Sequence, residues 1–413
     1  MIRSCLLCVF GFIMLSSYAQ NIARITVDLP VPMNGLNVPV SIDLDAITFA
    51  HDSTLTLVEE RNDAIIFVPF QIQQGNQRTL EWMVTCEKIP LGKRTYQLMT
   101  GHAAKFAQVA AATDSGALTI RSGKQSLLRY NFKTVYPPAG IDTNYKRSGF
   151  IHPLWTPHGQ SLTQIQPADH YHHYGIWNPW THVLFEKDTV DFWNLKDHKG
   201  TVRFAGFAAT TGGAVFAQFE TLHEHVAFKK DGKEKVALRE LQTIKVYRPV
   251  DGDNDYYIAD ITSQMNCASE SPVLLLTYRY GGLGWRATPL WNKDNSEVLT
   301  SEGKNRAAAD GSTARWCIVQ GTLKDDYGGA VMLSYPANYN HPEPLRIWPE
   351  NSNDRGDVFA NFDPTKDKDW LLQPGKTYVL KYRLLVFNGK FDKAKAESAW
   401  QYFAHPPAVV VEK

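Results

Sequence analysis

Short runs rich in β-branched and aromatic residues recur along this chain, several of them with alternating apolar and polar positions, and Gly, Pro, Asn or Asp bounds them. Because successive side chains of a strand point to opposite faces, this pattern is typical of β-strands. The segment Lys230-Asp231-Gly232-Lys233 adds a hairpin turn, since Asp-Gly tolerates the positive φ angles of tight turns. The strands predicted in this way include residues 64–70, 241–246, 256–261, 273–280, 330–335 and 378–387.

Helical periodicity is scarce by comparison. Residues 392–402 are rich in Ala, Lys and Glu and end shortly before Pro406-Pro407, which predicts one helix. A chain that is otherwise made of strands buries its apolar faces by packing sheet on sheet. The sequence therefore predicts an all-β fold.

The composition changes between about residues 100 and 145. Nine of the 13 histidines fall between positions 152 and 225, and ten of the 11 tryptophans follow position 150. Residues 20–105 are therefore predicted to form a small N-terminal β-sandwich domain, and residues 125–405 a larger β domain.

The first residues indicate export. Arg3 precedes an apolar run over residues 6–15, and Ser17 and Ala19 place small side chains where a signal peptidase cleaves. The run is too short to span a bilayer, and no later segment reaches about 18 consecutive apolar residues. We expect residues 1–19 to be a cleaved signal peptide, the mature protein to be periplasmic or secreted, and no membrane span.

The charges nearly balance, with 43 Lys and Arg against 42 Asp and Glu and a formal net charge of +1. This balance predicts no electrostatic attraction to nucleic acid or to an acidic membrane. Beyond the leader, Cys86, Cys267 and Cys317 are sparse and lack a CxxC spacing, so single buried thiols are expected. The chain also lacks a nucleophile elbow, a Walker loop and an H-E-x-x-H motif.

Candidate chemistry concentrates in the block Asp169-His170-Tyr171-His172-His173. A strand through these residues would place His170 and His172 on one face, where two imidazoles can share a divalent metal ion. Asp169, Tyr171 and His173 would lie on the other face, where a carboxylate can orient an imidazole as a general base.

Three further segments are candidates for the same site or for surface structure. His223-Glu224-His225 repeats the H-x-H spacing, but it precedes a charged hairpin and is expected to be solvated. The glycine-rich turn that ends in Trp285-Arg286 suits a sugar, because aromatic rings stack on C–H faces and a guanidinium binds hydroxyls or a carboxylate. It also fits an aromatic sheet edge. His341, in a late polar loop, is the histidine most expected to join the cluster.

From about residue 146 to residue 389, the chain resembles a family of exported bacterial proteins labelled PmoA-like. The resemblance rests on His152-Pro153-Leu154 with Thr156-Pro157 and Gly159, on residues 169–177, on Gly282-Leu283 with Arg286, on Ala314-Arg315-Trp316 with Gly321, and on Tyr382-Arg383-Leu384. It implies a large β-sandwich similar to the galactose-mutarotase supersandwich. A true membrane methane monooxygenase subunit needs several spanning helices, which this sequence lacks.

The leading hypothesis is a periplasmic carbohydrate-active enzyme, a lyase or hydrolase that acts on a glycan fragment. His172 or His173 would be the general base, oriented by Asp169, and Tyr171 or Tyr174 would protonate the leaving oxygen. His152 completes the candidate catalytic set. The candidate substrate-binding residues are Arg286, His341 and the aromatic residues Trp155, Trp177, Trp180 and Trp285.

Two alternatives stay open. One is a non-catalytic glycan-binding protein that uses the same aromatic surface. The other is a metalloenzyme in which His170, His172 and a distant His341 hold one divalent metal ion, the candidate cofactor. In every case, the expected partner is a carbohydrate.

Overall fold

A computed structural model describes residues 20–61, 64–86, 92–101, 105–250 and 255–413. The predicted signal peptide lies outside the described residues. The first seven strands are β1 Asn21–Leu29, β2 Val38–Asp43, β3 Leu55–Arg61, β4 Ala64–Phe67, β5 Phe70–Gln73, β6 Thr79–Val84 and β7 Gly92–Thr100. Short 3-10 helices occupy Asp52–Thr54 and Thr143–Tyr145.

The remaining strands follow in three groups. The first is β8 Val109–Thr113, β9 Ala117–Ser122, β10 Gln125–Asn131, β11 Phe150–Leu154, β12 Ile176–Trp177, β13 Val183–Phe185 and β14 Asp188–Val190. The second is β15 Gly200–Thr211, β16 Phe216–Phe228, β17 Glu234–Tyr247, β18 Tyr256–Cys267, β19 Val273–Leu275, β20 Leu283–Arg286 and β21 Ser296–Thr300. The third is β22 Trp316–Leu323, β23 Asp326–Ser334, β24 Leu345–Ile347, β25 Phe359–Phe362, β26 Trp370–Leu372, β27 Tyr378–Asn388 and β28 Ala408–Glu412.

The N-terminal strands form two small antiparallel sheets. One has the order β28-β1-β7-β3-β4 and the other β2-β6-β5, and a core that includes Ile25, Trp82 and Leu98 fills the space between them. The outermost strand of the first sheet comes from the C-terminus, since Val409 pairs with Val27. The first and the last of the described strands therefore pair in one sheet.

Two eight-stranded sheets form the larger sandwich. The front sheet has the order β24-β25-β20-β12-β11-β10-β9-β8, and the back sheet has the order β15-β16-β17-β18-β27-β23-β22-β21. Ile151 and Phe362 of the front sheet meet Phe219 and Leu384 of the back sheet in one apolar core. A four-stranded sheet, β14-β13-β19-β26, adds Val183 and Leu275 to the same core. The predicted all-β fold with a large sandwich and a small N-terminal sandwich is confirmed.

Two α-helices occur among the described residues, α1 Arg306–Ala309 and α2 Lys393–Ala404. The Asp392 side chain caps α2 by accepting from the Lys395 amide at 2.8 Å, which confirms the helix predicted there. Trp400 and Phe403 of α2 pack on Trp316 and other residues on the outer side of the back sheet. Neither helix is long and apolar enough to cross a membrane.

Candidate functional site

Both faces of the front sheet are covered. On β11, Ile151 enters the core between the large sheets, whereas Phe150 points to the outer face. On β25, Ala360 likewise enters the core and Phe359 points to the outer face, because successive side chains of a strand point to opposite faces. The outer face thus carries an aromatic layer, which consists of Phe150, Tyr174, Trp177, Trp193, Leu195, Trp348 and Phe359.

A buried arginine lies in this aromatic layer. Trp285 belongs to the core, so its neighbour Arg286 projects to the outer face, where its guanidinium lies 4.7 Å from the Trp348 ring centroid. It donates to Asp169 at 2.9 and 3.2 Å and to Asp357 at 3.0 Å. Because Arg286 is 1% exposed and carboxylates occupy both terminal nitrogens, the predicted contact with substrate is corrected: Arg286 positions Asp169.

The histidine block is a pair of turns and not the predicted strand. The His170 amide donates to the Pro167 carbonyl at 2.9 Å, and the His173 amide donates to the His170 carbonyl at 3.0 Å. Each bond joins residues three apart, so the chain folds back twice and no ladder forms. The predicted division of the block between two sheet faces is therefore wrong.

Asp169 orients His170. Its carboxylate lies 2.7 Å from His170 Nδ1 and also accepts from the Asn353 amide at 2.7 Å. Burial raises the pKa of Asp169, but the bond to His170 and the charge of Arg286 outweigh this and hold the pKa below its ordinary range. The carboxylate is therefore ionised, and the imidazole that it orients is that of His170, not that of His172 or His173 as predicted.

Three imidazoles pack against one another beside this pair. The ring centroid of His173 lies 4.7 Å from the ring centroid of His170 and 4.7 Å from that of His172. Burial, with help from the neighbouring His170, lowers the pKa of His172 to about 3. Burial also lowers the pKa of His173 well below its ordinary value. Both rings are neutral near pH 7 and too weakly basic for efficient proton abstraction, whereas the His170 side chain is 30% exposed.

The three histidines that were predicted to hold a metal ion do not lie together. The rings of His170 and His172 lie 5.3 Å apart, but His341 packs elsewhere, 3.2 Å from the Ser334 hydroxyl and stacked on Trp400. Within the described ranges, no group of three or more His, Cys, Asp and Glu side chains is arranged to hold a metal ion. His341 therefore does not complete a ligand set, and a divalent ion on His170 and His172 stays a prediction.

Most of the predicted aromatic platform is buried. Trp285 lies in the core and donates its indole N–H to the Leu162 carbonyl at 2.8 Å, and Trp180 is fully buried as well. Trp177 is buried in the aromatic layer, 5.2 Å from His173. These three rings are thus unavailable to a sugar, because neighbouring side chains cover them.

Trp155 and Tyr171 keep partial exposure. Trp155 follows β11 and pairs with Ser161, and Tyr171 packs 5.7 Å from Tyr145. Tyr174, by contrast, is buried, and burial raises the pKa of its hydroxyl to about 12, so it is not suited to protonate a leaving group.

His152 lies apart from the three-histidine cluster and lines a groove of about 500 Å³. Its Nδ1 lies 2.9 Å from the Thr163 hydroxyl. Burial lowers the pKa of His152 to about 4, so the ring is neutral near pH 7. The groove is bounded by His152, Pro153, Gly159, Gln160, Ser161, Thr163, Gln164, Ile165, Thr288, Pro289, Leu290 and Lys324.

Asn353 and Asp357, which were not among the predicted site residues, complete the network around Arg286. Asn353 donates to Asp357 at 2.9 Å as well as to Asp169. They lie in a run of polar residues that is typical of a surface turn, and no motif distinguishes them.

The predicted exposure of His223 and His225 is wrong. Both side chains point between the two large sheets, where the Glu240 carboxylate lies 3.4 Å from His223 Nδ1 and 3.0 Å from His225 Nε2. Ser263 and Asn178 also donate to Glu240, at 2.6 and 3.0 Å. The hydrogen bonds that these side chains share with the Glu240 carboxylate offset much of the cost of burying them.

The solved structures with detectable similarity include two glycosidases and a galactose mutarotase related enzyme. An α-mannosidase from Enterococcus faecalis V583 is 7% identical over 97% of this chain and 46% of that protein, with a TM-score of 0.49. An α-galactosidase from Geobacillus stearothermophilus is 12% identical over 68% and 40%, with a TM-score of 0.25. A galactose mutarotase related enzyme from Lactobacillus acidophilus is 7% identical over 69% and 98%, with a TM-score of 0.29.

This chain therefore spans less than half of the mannosidase and of the galactosidase that it matches. No curated protein matches its sequence. One family model matches residues 117–401, which include β9 through most of α2 and every residue of the network around Arg286. The chain belongs to DUF6807, a family of unknown function.

Proposed function

We propose that this protein is a carbohydrate-active enzyme, a lyase or hydrolase, in which His170 transfers the proton. The observation that carries the proposal is the Asp169–His170 pair, with 2.7 Å between carboxylate and imidazole, at the partly exposed edge of the aromatic layer. Arg286 and Asn353 fix the carboxylate from two other sides. Such an arrangement orients an imidazole and stabilises its protonated form.

The chemistry follows from the tautomer that Asp169 selects. An ionised carboxylate accepts the Nδ1 proton of His170, so Nε2, which has no partner among the described residues, is the atom that takes up a proton. In hydrolysis, His170 deprotonates water, the water oxygen bonds to the anomeric carbon, and a second water molecule protonates the leaving oxygen as the glycosidic bond breaks. In elimination, His170 takes a proton from carbon, a double bond forms, and a water molecule protonates the sugar oxygen as its bond to carbon breaks.

The export signal predicted for residues 1–19 supports a role outside the cytoplasm, where polymeric glycans are encountered. A non-catalytic glycan-binding protein is the second candidate. One observation favours it: the pKa values of His172 and His173 are lowered and Arg286 is paired with two carboxylates, so among the described residues of this cluster His170 is the one imidazole suited to proton transfer. Glycoside hydrolysis ordinarily uses two such groups.

The test is turnover of a panel of plant and algal oligosaccharides by the wild type and the His170→Gln variant. Product masses separate the reactions, because hydrolysis adds one water and elimination adds none. His198→Gln, an exposed histidine outside the site, is the matched control. We expect His170→Gln to lose at least a hundredfold in rate and the control to lose nothing. Undiminished turnover by His170→Gln would refute the role of His170, and binding without turnover would favour the second candidate.

A further inference from the structure

We infer that the groove beside His152 is a subsite that binds an uncharged sugar unit; the inference rests on the proposed carbohydrate function and specifies the class of substrate. The volume of the groove, about 500 Å³, lies within the range of small-molecule sites. Its wall combines hydroxyl and amide side chains with the apolar surfaces of Ile165, Pro289 and Leu290. A sugar ring presents the same mixture of hydroxyls and C–H faces.

Two polar side chains of the groove have atoms free for a ligand. The Nδ1 of His152 is occupied by Thr163, but Nε2 has no partner among the described residues, and His152 lines the groove. The side-chain amide of Gln164 is likewise partly exposed and has no partner in the described part of the chain. A neutral imidazole and an amide together offer the donors and acceptors that bind sugar hydroxyls.

The charge of the groove favours a neutral ligand. Lys324, exposed on the rim, is the one charged residue among those that line it. An acidic sugar would have to give up its hydration for one solvated lysine, and such an exposed ion pair contributes little. Sugar hydroxyls can hydrogen-bond to His152 and Gln164, so the residues that line the groove select an uncharged sugar ring.

The groove adjoins the Asp169–His170 site through a shared backbone segment, residues 163–166. The Gln164 amide donates to the Arg286 carbonyl at 3.1 Å, and the Gln166 amide donates to the His173 carbonyl at 2.8 Å. Thr163 and Gln164 at one end of the segment line the groove, and its other end holds the histidine turns. A substrate with more than one sugar unit would therefore meet both features.

The test measures binding of uncharged gluco-, galacto-, manno- and xylo-oligosaccharides, and of acidic galacturono-oligosaccharides, by titration calorimetry. The variants are Gln164→Ala and His152→Ala, with the exposed Gln373→Ala and His198→Ala as matched controls. We expect at least one uncharged oligosaccharide to bind, and each groove variant to weaken it about tenfold, the value of one lost hydrogen bond. Gln164 has no intramolecular side-chain partner to lose, so its variant remains informative if His152→Ala does not fold.

Unchanged affinity in both groove variants would overturn the inference. Tight binding of the acidic oligosaccharides alone, lost in Lys324→Ala, would also overturn it.

The subsite and the proposed enzyme function are refuted by different outcomes. If the groove variants lose affinity and no oligosaccharide is turned over, the subsite stands and the role of His170 falls. If turnover depends on His170 while the groove variants keep the wild-type KM, the subsite falls and the enzyme stands.

Discussion

The guanidinium of Arg286 and the carboxylate of Asp169 form a two-point ion pair, at 2.9 and 3.2 Å, between residues 117 positions apart in the chain. Arg286 lies on a strand of the front sheet, and Asp169 on the turn that carries His170. The pair therefore couples the scaffold to the candidate catalytic turn.

Arg286→Gln is expected to destabilise the protein by about 3 kcal/mol, since it leaves Asp169 and Asp357 close together without their shared cation. The measurement is urea unfolding at pH 7. Arg203→Gln is the control, because Arg203 bridges Glu224 and Glu234 at the surface and such pairs contribute at most about 1 kcal/mol. Equal losses in the two variants would show that the Arg286 network is not a structural unit.

The fold class and α2 could be predicted from the sequence, because strand patterns and a run of Ala, Lys and Glu that ends before Pro406-Pro407 are local signals. Sequence reasoning failed where tertiary structure overrides such signals. The block at 169–173 was predicted to be a strand, yet it forms turns after Pro167. His223 and His225 seemed solvated because their buried partner, Glu240, lies on the neighbouring strand and only the β16–β17 register brings it opposite. The pairing of Asp169 with Arg286 leaves no local trace either.

We expect the Glu240 carboxyl to make the free energy of unfolding depend on pH in the acidic range. Burial raises the pKa of this carboxyl, but hydrogen bonds from His223 and His225 outweigh burial and lower its pKa below the ordinary range. A lowered native pKa means that the unfolded chain binds the proton more tightly. The stabilisation is thus present above the unfolded pKa, about 4.3, and is lost as the pH falls below it.

In Glu240→Gln we expect the free energy of unfolding at pH 7 to drop by about 3 kcal/mol, since the buried histidines lose their carboxylate. The difference from the wild type should shrink between about pH 4.5 and pH 3. Urea unfolding across that range is the measurement, and the exposed Glu234→Gln is the control. A difference that stays constant with pH would contradict the assignment of the charge to Glu240.

We expect Glu343 to have the opposite effect, so that its contribution makes stability fall as the pH rises. It is fully buried and hydrogen-bonded to Ser334, Asn338 and Tyr382, and burial raises its pKa to about 7. The native state therefore binds the proton more tightly than the unfolded chain. Stability is highest below the unfolded pKa of about 4.3 and falls as the pH rises toward 7 and above.

Glu343→Gln should remove much of this loss, because an amide fills the same volume without a charge. The wild type is expected to lose on the order of 3 kcal/mol between about pH 5 and pH 8, and the variant distinctly less. Thermal unfolding at several pH values tests this. The buried Asp363, whose pKa burial also raises, remains in both proteins and leaves a residual slope of the same sign. An unaltered slope in the variant would assign the whole effect to Asp363.

Gly175 links the histidine turns to β12, and its replacement tests how tightly the site is built. Its φ is +62°, and a Cβ atom there would lie 2.2 Å from the Ile151 carbonyl oxygen of the adjacent strand. Gly123 has nearly the same φ, +58°, but open space around it. Gly123→Ala should therefore cost only the left-handed backbone strain of about 1–2 kcal/mol, whereas Gly175→Ala should cost clearly more because β11 must move.

Urea unfolding of the two variants isolates the steric effect, since the backbone conformation is matched. We also expect the Gly175→Ala variant to lose turnover or glycan binding, because a shift at Gly175 displaces His173, whose carbonyl anchors the segment at Gln166. Gly123→Ala, in the turn between β9 and β10, should keep both properties. If the two variants are equally stable, the front sheet has room at Gly175, and the histidine turns are held by Arg286 and Asp169 alone.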